Sequence, residues 1–279
     1  MAKWWLLLNW LPCLLLVWLP SALLAATPSR VVSVVPHLTE LLYEIGAGDK
    51  LVAIDEASDY PPEVKTKPKV ANYRSINLEA VLAQKPDLIL GWRSAQSRML
   101  APLERLGIPV FYSEPSDFAS LATEMRALGS LLGVEKSANA AADRYLARLH
   151  ALQQRYGQPT GVKVFYQLWY PPLTSVSGHA WPAQAITLCG GINVMANAQL
   201  PYPQVDIEQV IRTNPGLILA GSQDPDALSH WQQWQGLDAI KRQQLRLINA
   251  DELHRFTPRA LNAVAQLCQM IRQAEQQTP

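Results

Sequence analysis

The chain has 279 residues, of which 49% are hydrophobic and 17% are charged. These proportions are typical of a globular protein and exclude an intrinsically disordered one, and the length is sufficient for one or two domains with full cores. The formal net charge of +1 gives no reason to expect a nucleic acid or another polyanion as partner.

The first 26 residues differ from the rest of the chain. Lys3 is followed by long apolar runs and then by small residues that end at Ala26. This order is typical of a secretory signal peptide, so we predict residues 1–26 to be a cleaved export signal. A membrane anchor is the alternative, because the apolar run approaches the roughly 20 residues that a span needs. Pro12 and Pro20 interrupt the run and favour the signal peptide.

Removal of such a leader changes the cysteine content. Cys13 is lost with it, and Cys189 and Cys268 remain as an even pair in an oxidising compartment, where we expect them to be bonded. Neither lies in a Cys-x-x-Cys motif, and two cysteines do not complete a zinc site, so metal and redox roles are disfavoured. Cys13 also lies too early in the apolar run to favour a lipid-anchored protein.

In chain order, short apolar strands alternate with helices from residue 27 onward. The strands predicted in the first half lie at 30–35, 51–54, 88–90 and 108–112. A helix follows the first of them, and others precede and follow the third. This alternation predicts an α/β lobe with a mostly parallel sheet, which we assign to residues 27–134.

The second half repeats this order. Its strands are predicted at 162–167, 217–219 and 246–249, with a helix near Cys189 and a closing helix from Pro258 to about Ala274. We therefore predict a second α/β lobe at residues 161–279. The intervening residues 135–160 contain a stretch rich in Ala, Leu and Arg and predict one long rigid helix from lobe to lobe. Such a connection restricts hinge opening, and a ligand cleft is expected between the lobes.

A passage that occurs twice, 129 positions apart, is the strongest sign of two similar lobes. The copies are 77–90 and 206–219, and each predicts a helix with an Asn or Asp cap that stops before a proline and leads into a buried strand. Each copy carries a glutamate near its start, Glu79 and Glu208. A glutamate there is favoured by the helix dipole in any case. Two at matching positions predict a partner that also comes in two copies.

Aromatic residues are unusually frequent in the loops around the predicted strand ends. In parallel sheets, ligands bind outside the carboxyl ends of the strands, so these loops are expected to face the cleft. The residues are Tyr60, Tyr73, Trp92, Trp169, Tyr170, Trp181 and Tyr202. Core packing is the alternative for any single ring. Together, many flat rings and few charges predict a large, amphipathic and nearly neutral ligand.

Seven segments carry a specific resemblance: 34–40, 58–62, 77–79, 85–93, 189–193, 201–205 and 257–259. They resemble the periplasmic vitamin B12-binding proteins of ABC importers, and the match covers the whole mature chain. These proteins belong to the helical-backbone substrate-binding proteins, which also include siderophore and haem receptors. The resemblance implies a periplasmic protein, monomeric when free, that is no enzyme and binds cobalamin as transported ligand rather than as cofactor.

The resemblance also assigns residues to the ligand. The implied cobalamin contacts are Tyr60, Trp92 and the loop Asp251, Glu252, Leu253, His254 and Arg255. Asp251 and Arg255 are the loop residues that match the family pattern. Tyr73 and Tyr202 stand where that pattern has tryptophan, and Trp169 lies in a loop whose length differs.

Two further pairs match the family. Glu79 and Glu208 match the glutamates that dock onto arginines of the two permease subunits of the importer. Cys189 and Cys268 match the family disulfide. His37 and His254 lie near the predicted cleft, but a single nearby histidine is more often a polar neighbour than a metal ligand, so no metal site is predicted.

The sequence disfavours an enzymatic function. The sequence has no Gly-x-Gly-x-x-Gly, P-loop, Gly-x-Ser-x-Gly or His-Glu-x-x-His motif that would indicate an enzyme. The acidic residues Asp55, Glu56 and Asp59 are interpreted as a solvated loop edge rather than as acid and base catalysts.

A receptor of the same class for another ligand is the closer rival. An anionic ferric siderophore would use cleft arginines, for which Arg74, Arg93 and Arg255 are candidates. Haem would need an axial ligand, for which Tyr60 and His37 are available.

Overall fold

A computed structural model of the chain describes residues 27–277. The predicted signal peptide at 1–26, including Cys13, lies outside the described residues. Within the described range, no helix is long and apolar enough to cross a membrane.

The N-terminal lobe is built on a five-stranded parallel sheet with strand order β3-β2-β1-β4-β5. The strands are β1 Val31–Ser33, β2 Leu51–Asp55, β3 Lys69–Ala71, β4 Leu88–Trp92 and β5 Val110–Ser113. The helices are α1 Pro36–Glu44, α2 Leu78–Ala83, α3 Arg93–Arg105 and α4 Ser120–Leu131. The three central strands are apolar and buried almost throughout, as expected where helices cover both faces of a parallel sheet.

The C-terminal lobe has a four-stranded parallel sheet with order β7-β6-β8-β9. Its strands are β6 Lys163–Gln167, β7 Ile192–Asn193, β8 Leu217–Gly221 and β9 Leu245–Ile248. Its helices are α6 Trp181–Leu188, α7 Ile207–Thr213, α8 Asp238–Lys241, α9 Ala250–Leu253 and α10 Ala260–Gln276. Short 3₁₀ helices lie at Gly48–Lys50 and Pro62–Thr66 in the N-terminal lobe and at Ser229–Gln233 in the C-terminal lobe. The two parallel sheets confirm the predicted fold class.

The repeated passage forms the same unit in each lobe, α2 followed by β4 and α7 followed by β8. The predicted caps differ. The Asn77 side chain accepts a hydrogen bond from the backbone N–H of Ala80 at 3.0 Å, whereas the Asp206 side chain makes no capping hydrogen bond. The prediction of a side-chain cap was therefore correct for α2 and wrong for α7.

The helix between the lobes, α5, runs over Glu135–Tyr156 and contacts both of them. Near its start the Ser137 hydroxyl donates to the carbonyl of Ile45 in the N-terminal lobe, at 2.6 Å. About three turns further on, Arg148 donates to Asn262 Oδ1 on α10 at 2.6 Å. The helix ends before the predicted limit at residue 160, since Gly157 forms its C-cap.

The disulfide joins Cys189, at the end of α6, to Cys268 in the middle of α10. Both residues are completely buried in a core cluster that extends through the two lobes. The predicted pairing is confirmed. The prediction that Trp181 faces the cleft is wrong. Trp181 is the first residue of α6, is 4% exposed, and packs against Phe118 with ring centroids 4.1 Å apart.

Candidate functional site

The N-terminal lobe offers a cavity of about 460 Å³ at the carboxyl ends of its central strands. It is lined by apolar residues that follow β1, by the end of β2, and by the start of α3, together with the rings of Tyr73 and Trp92. Gln96 is buried and fixes this wall. Its side chain donates to the carbonyl of Val34 at 2.8 Å and accepts from the backbone N–H of Trp92 at 2.9 Å. Tyr73 is 83% exposed and therefore available to a ligand.

The C-terminal lobe presents a smaller cavity of about 240 Å³ at the carboxyl ends of β6 and β8. Trp169 and Tyr170 lie at this wall, and both are exposed. Tyr170 is stacked on His230 with ring centroids 3.9 Å apart. Isolated bridges connect Trp169 to Thr174 and Thr174 to the segment that carries the exposed Tyr202. The predicted aromatic residues Trp169 and Tyr202 thus belong to neighbouring segments of one lobe.

The segment 249–259, which follows β9, is fixed to the C-terminal lobe. Asn249 caps α9, because its Oδ1 accepts from the backbone N–H of Asp251 at 3.0 Å. Trp181 Nε1 donates to the carbonyl of Leu253 at 3.0 Å, and the Leu253 side chain is fully buried. Leu253 was predicted to contact the ligand, but its side chain is not accessible. Glu252 lies in the first turn of α9 and is half-buried.

His254 faces the interior of the same lobe. A ring nitrogen of His254 lies 2.7 Å from the Tyr166 hydroxyl, and burial lowers the pKa of the imidazole to about 4. Gly221, at the end of β8, permits this approach, because a Cβ there would lie 2.5 Å from the Tyr166 hydroxyl oxygen and 2.7 Å from the His254 ring. His254 is therefore a neutral residue that anchors the segment.

The same segment also reaches the N-terminal lobe through Arg255. Its Nη1 donates to Glu40 at 2.7 Å and to Asp59 at 2.6 Å, and its Nη2 donates to the carbonyl of Ala57 at 3.3 Å and to Asp251 at 3.2 Å. Its side chain is 11% exposed. Although partial burial opposes the effect, Arg255 holds the pKa of Asp59 below its usual value. Arg255, predicted as a ligand contact, joins the two lobes in this structure.

An aromatic cluster lies beside this ion network. Phe256 packs edge-on against His37 and Trp92, with ring centroids 5.3 and 5.8 Å away. His37 is 5% exposed, and its Nε2 has no hydrogen-bond partner among the described residues. Burial, with the nearby charge of Arg255, lowers the pKa of His37 to about 3. The imidazole is therefore neutral and enclosed by rings.

Tyr60 lies at the edge of the N-terminal wall and is 42% exposed. The guanidinium carbon of Arg259 lies 3.9 Å from the centroid of its ring, and Arg259 is in turn bound to Glu40 at 2.9 Å. Sequence reasoning missed Glu40, Arg259 and Phe256 as parts of the site. Glu40 and Arg259 do lie in segments that carry the family resemblance, and that was the available signal.

The acidic residues near the cleft form the expected solvated edge only in part. Asp55 is 3% exposed, accepts from the backbone N–H of Ala57 at 3.0 Å, and is hydrogen-bonded to the Ser58 hydroxyl. Burial raises the pKa of Asp55. Asp59 is bound to Arg255. Glu56 and Asp59 have the exposed positions that were predicted, whereas Asp55 is buried because the loop folds back against α1 through the Ser58–Thr39 hydrogen bond.

Glu79 and Glu208 lie outside this site. Each is in the first turn of its helix and is exposed, and neither has an ion pair within residues 27–277. Because a helix between parallel strands runs antiparallel to them, its first turn lies at the carboxyl edge of the sheet. Both carboxylates are therefore at the cleft-bearing edge of their lobes.

The cleft is thus a binding site with two aromatic walls joined by residues 249–259. Asp251 is exposed beside it, whereas the two nearby histidines are neutral and largely enclosed. In the part of the chain that the structure describes, no group of three or more His, Cys, Asp or Glu residues could hold a metal ion. This arrangement suits a broad ligand with apolar faces and a hydrogen-bonding rim.

Comparisons with known proteins agree with this geometry. The sequence profile of the family described as periplasmic binding protein matches residues 31–252. The vitamin B12-binding protein of Vibrio cholerae is 38% identical over 247 residues, 88% of this chain and 89% of that protein. The vitamin B12-binding protein of Yersinia pestis is 37% identical over 240 residues, 85% of this chain and 84% of that protein.

Solved structures of periplasmic binding proteins are also similar to this chain. A crystal structure of the periplasmic vitamin B12-binding protein of Vibrio cholerae matches with a TM-score of 0.81 at 38% identity, over 89% of this chain and 98% of that one. A periplasmic haem-binding protein from Roseiflexus matches with a TM-score of 0.78 at 22% identity, over 88% of this chain and 99% of that one. At that identity the likeness concerns the fold alone.

Proposed function

Because the chain belongs to the periplasmic binding protein family, we propose that it captures cobalamin in the cleft between its lobes and delivers it to the permease of an ABC importer. The identity of more than a third to vitamin B12-binding proteins, over most of both chains, is the observation that carries this proposal. The protein acts by binding and release, and cobalamin is its cargo rather than a cofactor.

The charges of the cleft favour a nearly neutral ligand. Of the three arginines that a siderophore would use, Arg255 is already paired with Glu40 and Asp59. The guanidinium carbon of Arg74 lies 5.0 Å from the Tyr73 ring centroid, and that of Arg93 lies 4.9 Å from the ring centroid of Tyr112. A buried arginine that already has carboxylate partners contributes little to binding a further anion.

The histidine that could serve as an axial ligand for haem is enclosed. His37 is enclosed by the rings of Trp92 and Phe256, and its imidazole is neutral. To coordinate the iron through His37, a haem receptor would have to displace the rings that enclose the imidazole. The guanidinium of Arg259 lies over the ring of Tyr60 and does not occupy its hydroxyl oxygen, the atom that would bind iron. Cobalamin brings its own corrin nitrogens and needs only flat contacts and a polar rim.

We assign Tyr60, Tyr73, Trp92, Trp169, Tyr202 and Asp251 as the residues that contact cobalamin. The rings supply flat apolar surface on both walls, and the exposed carboxylate of Asp251 accepts hydrogen bonds from amide groups of the ligand. Glu252 and His254 support the ligand loop in this proposal, and Arg255 holds it against the N-terminal lobe.

Delivery requires export and a docking surface. Residues 1–26 are proposed to direct the chain to the periplasm and to be removed there, which agrees with the Cys189–Cys268 disulfide, since such bonds form in oxidising compartments. Glu79 and Glu208 are proposed to bind arginines on the two permease subunits. The free receptor is proposed to be a monomer, because a single chain already carries one exposed glutamate for each of the two permease subunits.

Retention of the ligand by the mature protein tests this function. Purified protein is mixed with excess cyanocobalamin, freed of unbound ligand by rapid gel filtration, and its absorbance spectrum is recorded. We expect the corrin bands to remain with the protein at one equivalent per chain. A protein fraction without corrin absorbance would exclude the proposed ligand.

A further inference from the structure

A buried carboxylate in the N-terminal lobe binds two arginines of the C-terminal lobe. Glu40, on α1, has a side chain that is 4% exposed. It accepts from Arg255 Nη1 at 2.7 Å and, in a bidentate arrangement, from Arg259 Nε and Nη2 at 2.9 Å each. Its two oxygens therefore hold both cationic residues of the segment 249–259.

The charges of Glu40, Arg255 and Arg259 stabilise one another in the folded protein. A carboxylate that is nearly excluded from water is stable only when cationic or hydrogen-bonding partners compensate it. Arg255 has two further carboxylate partners, Asp59 and Asp251, whose side chains are 49% and 51% exposed. Arg259 forms its ion pair with Glu40, and its charge also acts on Asp59. Loss of the Glu40 charge would thus leave two guanidinium groups close together with only exposed carboxylates nearby.

Both arginines also contact the residues that form the cleft. Arg255 Nη2 donates to the carbonyl of Ala57 and to Asp251. Arg259 lies over the ring of Tyr60, with 3.9 Å between its guanidinium carbon and the ring centroid. Glu40 itself does not line the large cavity of the N-terminal wall. Its effect on a ligand would therefore pass through Arg255 and Arg259.

We propose that Glu40 is a positioning residue for ligand binding. This inference rests on the proposed function, and it adds a residue that lies outside the set of cleft rings. The Glu40 carboxylate holds the wall segment 57–60 and the loop 249–259 at a fixed separation, so that Tyr60 and Asp251 stand ready for the ligand before it arrives. Preorganisation of this kind increases affinity because fewer groups must be ordered on binding.

The test compares two isosteric substitutions on the same helix. Glu40→Gln removes the buried charge and keeps the shape of the side chain. Glu44→Gln is the matched control, since Glu44 lies one turn further along α1 and pairs with Arg144 at 3.5 Å on the exposed side. Two quantities are measured for each protein: amide hydrogen exchange without ligand, and the Kd for cyanocobalamin.

In Glu40→Gln we expect faster exchange in segments 57–60 and 249–259, with unchanged exchange in the core of α10. We also expect the Kd for cyanocobalamin to increase by about 5- to 150-fold, the usual range of coupling between linked sites. Glu44→Gln should match the wild-type protein in both measurements. A merely structural ion pair would change stability without a local change in exchange around the cleft.

In Glu40→Gln, unchanged amide hydrogen exchange at segments 57–60 and 249–259 would overturn the positioning role. Faster exchange there with an unchanged Kd for cyanocobalamin would overturn it as well. If Glu40→Gln does not fold, Arg259→Gln provides the same comparison, because Glu40 then retains Arg255 as a partner. Failure of the wild-type protein to bind cyanocobalamin would overturn the proposed ligand instead, and the exchange pattern would still show whether Glu40 fixes the two segments.

Discussion

Lys85 and Asn214 both adopt the left-handed backbone conformation, with φ of 49° and 45°, and they are 129 positions apart in the sequence. Each follows a short helix and precedes a proline, which disfavours continuation of the helix at the residue before it. Each also leads into a strand in the same relation to its sheet. Leu88 lies opposite Val31, and Leu217 lies opposite Val164. The repeat of the sequence is therefore a repeat of the backbone.

The first prediction concerns the glutamates that this repeat places at equivalent positions. Glu79→Lys combined with Glu208→Lys should retain the wild-type Kd for cobalamin, since both side chains are exposed and lie outside the cleft. The same variant should lose binding to its permease, because two attractions to arginine become repulsions that cost several kcal/mol. Complex formation with the permease in detergent and uptake in vesicles measure this effect.

Glu135→Lys provides the matched control for that experiment. Glu135 is also exposed in the first turn of a helix, so its reversal has the same cost against the helix dipole without touching the repeat. It should leave uptake unchanged. Normal uptake by the doubly reversed variant would show that the docking surface lies elsewhere.

The second prediction concerns the ring of Trp92. Trp92→Ala should weaken cobalamin binding by about 1 to 3 kcal/mol, because a large ring is lost from the N-terminal wall. Tyr43→Ala is a suitable control, since it removes a half-buried ring from the same lobe away from the cleft. Calorimetric titration of both variants measures the effect. Equal affinities of Trp92→Ala and the wild-type protein would remove Trp92 from the site.

The third prediction is a dependence of stability on pH. Burial lowers the pKa of His37 to about 3, whereas an unfolded histidine titrates near its usual value of 6.5. The unfolded state therefore binds more protons below pH 6.5, and the free energy of unfolding should fall as the pH decreases from there towards 3. Between pH 6.5 and 5, His37 should contribute a loss of about 2 kcal/mol.

Urea unfolding at these two pH values, for the wild-type protein and for His37→Leu, isolates this contribution from that of other groups. The variant should lose less stability on acidification. His254, whose pKa is lowered by burial to about 4, is still present in His37→Leu and should preserve part of the dependence of stability on pH. Identical losses in both proteins would contradict the assignment of a buried neutral imidazole to His37.

The fourth prediction concerns the disulfide. Cys189 and Cys268 are 79 positions apart, and closure of a loop of that length stabilises a protein by roughly 4 kcal/mol on the chain-entropy model. Reduction should therefore lower the Tm, while cobalamin binding persists at temperatures where the reduced protein is folded. A protein with Cys189→Ala and Cys268→Ala should not respond to reductant. Two free thiols in the unreduced wild-type protein would refute the pairing in solution.

The sequence predicted seven of the nine strands found within residues 27–277, because buried parallel strands are short apolar runs and their positions depend on local pattern. The short strands β3 and β7, each at the edge of its sheet, were not predicted. The sequence predicted the surroundings of the cleft less well. Arg255 contacts Glu40 across 215 positions of sequence, and no local pattern indicates that such a pair exists. The same reason applies to Asp55, which is buried because its loop folds onto α1, and to Trp181, whose ring fills the space beneath residues 253–256.

A parallel titration of the mature protein with cyanocobalamin, haemin and a ferric siderophore tests the proposed ligand most directly. Isothermal calorimetry should give one site per chain for cyanocobalamin, with a Kd lower than that for either other ligand, because the cleft offers rings on both walls while Arg255 and His37 are already engaged. Tighter binding of haemin or of the siderophore than of cyanocobalamin would contradict the proposed ligand and leave only the fold and the family.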